Sequence, residues 1–223
     1  MRLLSIGSSN TKIDKGARHL GGFLPFILHL APERLSGYNV CPNASKGCAA
    51  ACLNTAGRGK FNNVQHARVR KTKLLFEHRD TFLLDLMHDL SSALRKAKRE
   101  GLKCVVRLNG TSDIAWEKIK VQDGLTLFDL YPEIQFYDYT KSLSRALASV
   151  KDPAWPKHYH LTFSRSETND KQAWQALDAG ISVAFVFNGV TGPTQYGVPV
   201  IVGDTHDFRF LDPRGVIVAL TAK

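Results

Sequence analysis

The sequence predicts an α/β protein built on parallel strands, and three observations carry that expectation. Short β-rich runs alternate with helix-compatible stretches along most of the 223 residues. The runs are mainly apolar without a clean in–out alternation, as in strands buried on both faces. A polar cluster follows nearly every run, where strand-to-helix loops belong.

The first strand is expected at Phe26-Ile-Leu-His-Leu30, ended by Pro32 and Gly37. A helix is expected over 62–79 and a clearer one over 81–99. In the second, Phe82, Leu86, Leu90 and Leu94 recur every four positions, and Gly101 supplies the stop. Further strands are read at 104–108, 134–138, 159–163, 181–187, 198–202 and 215–220, with helical segments at 142–150 and 169–179. Six or seven such units predict a single-domain (βα)6-like partial TIM barrel over residues 25–223, with 1–24 as an N-terminal extension packed against it.

Composition narrows the class. An apolar fraction of 43% with 22% charged residues is ordinary for a globular chain. The longest apolar stretch, Phe23 to Pro32, is far short of the ~20 residues a spanning helix needs. No signal-peptide anatomy precedes Ser8-Ser9-Asn10-Thr11-Lys12, so a cytoplasmic setting and reduced cysteines are expected. Thirty basic against twenty acidic residues give a net charge of +10, which favours polyanionic partners such as nucleic acid or nucleotides. Much of the excess lies at Lys60, Arg68, Arg70, Lys71 and Lys73, and at Arg95, Lys96, Lys98 and Arg99, where a solvated helix face is the plain alternative. No G-x-S-x-G elbow, H-E-x-x-H or phosphate loop is present.

The chemistry is concentrated at Cys41-Pro-Asn-Ala-Ser-Lys-Gly-Cys48-Ala-Ala-Ala-Cys52. Cys48 and Cys52 share a face if a helix begins there, and Cys41 reaches in from the preceding loop. Three soft thiolates suit a [4Fe–4S] cluster, leaving one iron open. Zinc would need a fourth ligand, for which Cys104 or His66 is available; otherwise Cys104 is a core residue. Polar clusters at 109–113, 138–141, 164–167, 188–189 and 204–207 are expected to form one rim at the carboxyl ends of the strands. On that rim Asp138, Lys141 and His206 are the candidate catalytic groups, with Asp204 and Asp207 beside them.

The strand, three-cysteine loop and following βα units resemble the radical S-adenosylmethionine superfamily in layout. The cysteine spacing, together with Asn10-Thr11-Lys12, is similar to a group of small phage proteins known by gene-product names. The spacing here is C-x6-C-x3-C where the superfamily usually has C-x3-C-x2-C. Asn109-Gly-Thr-Ser-Asp113 stands where that superfamily carries Gly-Gly-Glu. The resemblance implies S-adenosylmethionine as a cofactor beside the cluster, with Asn109, Asp113, Ser164, Arg165 and Glu167 as its contacts. It also implies an external electron donor, a small-molecule or nucleotide substrate, and the cytoplasm of a host cell. The alternative from the residues is a module stapled by zinc or a cluster that binds nucleic acid without catalysis.

Overall fold

The structure is a computed structural model that describes residues 1–7, 17, 20–50, 52, 54, 57–189, 192 and 194–221. Asn10-Thr11-Lys12 and Ala51 lie outside the described residues. One nine-stranded sheet organises the chain. Its strands are β1 (Leu4–Ile6), β2 (Phe23–Leu28), β3 (Lys103–Arg107), β6 (Gln135–Thr140), β7 (Tyr159–Ser164), β8 (Val183–Phe187), β9 (Thr194–Gln195), β10 (Val198–Val202) and β11 (Ile217–Thr221). A separate two-stranded hairpin, β4 (Lys120–Gln122) with β5 (Leu125–Thr126), lies between β3 and β6.

The sheet order is β1-β2-β3-β6-β7-β8-β11-β10-β9. Seven neighbouring strands, β2 through β10, are parallel; β1 and β9 are antiparallel edges. Two features depart from a regular barrel. β11 inserts between β8 and β10, and β1 and β9 remain unjoined, so the described residues form an open sheet with no closed barrel. The segment before residue 25 also contributes a strand, because Leu4, Ser5 and Ile6 pair with Leu28, Ile27 and Phe26.

The helices are α1 (Lys46–Ala50), α2 (Asn62–Glu77), α3 (Arg79–Arg99), α4 (Leu127–Leu130), α5 (Leu143–Lys151) and α6 (Asp170–Asp178). The four-residue repeat places Phe82, Leu86 and Leu90 of α3 against Phe26 and Leu28 of β2 and Val106 of β3 in the main core. Full burial of side chains this size contributes about 1.5–3 kcal/mol each. Ile27 and Val105 of the same strands, with Tyr137 of β6, face the other way and are covered by Phe208 and Phe210. The sheet therefore has a helix side and an opposite side, the latter partly covered by these two rings. No helix among the described residues is long and apolar enough to cross a membrane.

Candidate metal centre

The cysteine loop is fixed at three places. Asn39 Oδ1 accepts from the Cys41 amide at 2.9 Å, an Asx turn that sets the entry. Ser45 caps α1, its Oγ accepting from Cys48 N at 3.1 Å. Glu167, from the loop after β7, then closes on the start of that helix: Oε2 accepts from Ser45 Oγ and Oε1 from Gly47 N, both at 2.8 Å. These bonds hold the Glu167 carboxyl below its ordinary pKa. A Cβ on residue 47 would lie 2.8–2.9 Å from that carboxylate, so the contact requires glycine.

At the far end, Cys52 Sγ accepts from Asn54 N at 3.5 Å. Asn54 is clamped by Gln65, through bonds of 2.8 Å to its side chain and carbonyl, and by Arg68 NH1 through its Oδ1. Arg68 is 8% exposed, and its Nε has no hydrogen-bond partner among the described residues. Burial lowers its pKa, with Cys52 as the opposing electrostatic influence.

The loop after β3 supplies the near wall. Gly110 N donates to Leu28 O at 3.0 Å, Thr111 Oγ1 donates to Leu30 O at 2.5 Å, and Asp113 N donates to Val40 O at 2.8 Å. Cys41 Sγ lies 3.7 Å from Thr111 O. Burial pushes the Cys41 thiol up to about 11, with Cys52, Asp113 and Cys48 adding to the rise. Cys48 is also raised by burial, while Lys141 acts in the opposite sense. Lys141 Nζ donates to Ser164 Oγ at 2.8 Å, and burial lowers its pKa against the pull of Cys48, Asp113 and Glu167. Asp113 Oδ2 accepts from Lys141 N at 2.9 Å. Three segments distant in sequence, those after β3, β6 and β7, thus bring Asp113, Lys141, Ser164 and Glu167 together around the cysteine loop.

Other candidates sit elsewhere. Asp138 is 1% exposed on the helix side, not facing the rim. Its Oδ1 accepts from Asn109 N at 2.7 Å, and its Oδ2 accepts from Tyr159 OH at 3.0 Å and Asn109 Nδ2 at 3.3 Å. Burial raises Asp138 to about 7. Asn109 Oδ1 in turn accepts from Ser112 Oγ and Ile114 N, so its amide braces the loop. Arg165 turns outward to Asp170, at 2.5 Å, and over the Phe185 ring, at 4.9 Å. His206 belongs to the segment that covers the sheet face opposite the helices, with its Nδ1 3.0 Å from Arg209 NH2. Asp207 there pairs with Arg107 at 2.9 Å and accepts from Tyr139 OH at 3.2 Å. Cys104 is 2% exposed in the main core, its thiol pushed up to about 12 by burial, and cannot complete a zinc site at the loop.

Arg68 and Ser45 are the functional groups that motif reading missed. Arg68 was hidden in a basic run. Its position on the stripe shared with Thr72 and Leu75, both buried, is the signal that separates it from solvated neighbours such as Arg70 and Lys73. Among the described residues, no three His, Cys, Asp or Glu side chains group closely enough to hold one metal ion.

The family model described as Gene product 88 matches residues 3–223. The chain belongs to that family. No curated protein and no solved structure matches it.

Proposed function

We propose that Cys41, Cys48 and Cys52 hold a [4Fe–4S] cluster with one iron left without a protein ligand, facing the rim of Asp113, Lys141 and Glu167. The observation that carries this reading is the buried guanidinium of Arg68 beside Cys52, which has no carboxylate partner among the described residues. A buried cation needs an opposite charge. Three thiolates on an iron–sulfur core supply one, and Lys141 supplies a second cation within electrostatic reach of Cys48.

The donor set fits a cluster better than zinc. A single zinc ion gathers four donors at about 2.0–2.3 Å. A cubane takes its thiolates on separate iron corners, so three cysteines serve as its protein ligands with one iron left over. When bound, the cluster would supply one-electron transfer and, with S-adenosylmethionine on its open iron, radical chemistry. The chain's own groups have distinct tasks. Glu167 holds the first turn of α1, Asp113 ties the β3 loop to Lys141, and Ser164 fixes the Lys141 ammonium near Cys48. Lys141 is the residue placed to meet an anionic group arriving at the rim. The consecutive parallel run β2-β3-β6-β7-β8 is read as the partial barrel that presents these loops on one edge.

Anaerobic reconstitution tests the proposal. About four irons and four sulfides per chain are expected, with loss in Cys41→Ala, Cys48→Ala and Cys52→Ala. Stoichiometric zinc in a colourless protein would overturn it and favour a stapled module. For that module, Arg70, Lys73 and Arg99 are among the exposed cations that would contact phosphates, with affinity falling log-linearly with salt.

A further inference from the structure

On the helix side, beyond α6, lies an open cleft of about 440 Å³ that the cysteine reading does not use. Its floor is Phe185, with Phe187 at a centroid distance of 6.0 Å and an interplanar angle of 17°. The Trp174 and Tyr196 rings meet at 84°, with centroids 5.5 Å apart, and line the same cleft, Trp174 lying 6.0 Å from Phe185. Arg165 lays its guanidinium over Phe185, and Gln195 brings an amide to the mouth.

Tyr196 is the informative residue. It occupies the two-residue turn between β9 and β10, where Tyr196 and Gly197 have φ of +52° and +79°. Such primed turns favour Asn or Gly at the first position, because a side chain in the left-handed region is strained. The tyrosine is also 79% exposed, so burial of its ring does not account for the choice. A strained, exposed aromatic at the mouth of an aromatic cleft is expected where the ring serves a ligand.

We infer that this cleft binds a purine or pyrimidine base. Bases stack on aromatic rings and on arginine planes, and their edges carry the donors and acceptors that Gln195, Asp170 and Arg165 can meet. Arg165, paired with Asp170, already covers the Phe185 face that a quaternary ammonium would need in an aromatic cage, and offers its own plane for stacking. The net charge of +10 favours a ligand that carries phosphate. The site is separate from the cysteine reading, although both use the loop after β7: Ser164 and Glu167 serve the cysteine side, and Arg165 serves the cleft.

Titration of the full chain with adenosine 5′-monophosphate and with a single-stranded oligo(dA), followed by tryptophan fluorescence and calorimetry, tests the inference. At least one probe is expected to bind and to weaken about tenfold or more in Tyr196→Ala, within the range of stacking losses. Trp174→Leu should act in the same direction. Tyr196→Ala should leave the thermal midpoint in place, because the ring is mostly exposed. Tighter binding of the mononucleotide marks a free nucleotide as the source, and tighter binding of the strand marks nucleic acid; both outcomes support a base site. Failure of both probes, affinity unmoved by both variants, or choline or a proline-rich peptide binding in their place would overturn it. The triple cysteine variant should still bind the base, so loss of the cluster and loss of this site are read independently.

Discussion

Asn109 and Asp138 come from the same two strand-to-loop segments as Asp113 and Lys141, yet Asn109 and Asp138 lie in a buried network and Lys141 lies at the rim. Asp113 joins the two, through Oδ1 to Arg145 and Oδ2 to the Lys141 amide. On the helix side, Asn109, Asp138, Tyr159, Arg145 and Glu117 form a buried network. Arg145 donates to both Glu117 oxygens at 2.8 and 2.9 Å, to Asp113 at 2.6 Å and to Tyr159 OH at 3.1 Å. Both Asp138 oxygens are also engaged there. At the rim, Cys41 Sγ makes only a long contact to a carbonyl. The Lys141 ammonium is held there by Ser164 Oγ and by the Ser164 and Arg165 carbonyls at 2.8–3.4 Å, within electrostatic reach of the thiols. Polar residues after a strand are therefore of two kinds. Saturated ones build the scaffold, and those with capacity left over are available to a ligand.

Substitutions should separate the two kinds, scaffold variants altering unfolding and rim variants altering loading of the proposed cluster. The largest effect is expected from Arg145→Met, which strands the Glu117 and Asp113 carboxylates in the interior. A loss of about 3–5 kcal/mol is expected, read as a lower urea midpoint. An unchanged midpoint would mean that the network is not a scaffold.

Next is Asp138→Asn. The folded pKa of Asp138 is raised by burial to about 7, above the unfolded value of about 3.9. The stability it contributes is full below the unfolded value and is lost as pH rises toward 7. Asparagine does not titrate, so the variant should improve relative to the parent by about 2–3 kcal/mol between pH 5 and pH 8. Denaturant melts at the two pH values give the sign directly, and the opposite trend would place Asp138 in a charge-stabilising site.

The histidines set an opposing limb. Burial lowers His160 to about 4, so its contribution is present above pH ~6.5 and lost as pH falls through 4. His160→Gln should flatten the acid side of the stability profile without touching the rim; an unchanged acid slope would assign that limb to other groups.

The smallest effect on unfolding should come from Gly47→Ala, which crowds the Glu167 carboxylate. A change within about 0.5 kcal/mol is expected at this exposed site. Iron retention after gel filtration should fall all the same. Full retention would show that the Glu167 contact does not position the loop.

The comparison also explains what was legible in the sequence. Regular elements were readable because α3 repeats every four residues and the β-rich runs are bounded by breakers. The strand expected at 26–30 is found at Phe23–Leu28, and the helix expected at 81–99 is found at Arg79–Arg99. The insertion of β11 between β8 and β10 was not readable, because strand order leaves no local mark on a chain. Nor was the side to which Asp138 points. Phe136, Tyr137 and Asp138 are all buried, so β6 has no in–out alternation from which to read its parity. The cysteine loop was conspicuous. Its partners were not, since Glu167 lies 122 positions from Ser45 and Arg68 resembles a surface charge until the helix is placed.

The most direct test of the cluster and its open iron is electron paramagnetic resonance on the anaerobically reconstituted, reduced protein, with and without S-adenosylmethionine. The account predicts a [4Fe–4S] signal that is absent in the triple cysteine variant and changes shape when S-adenosylmethionine is added. A colourless protein carrying zinc, or a cluster signal that S-adenosylmethionine leaves unmoved, would contradict it.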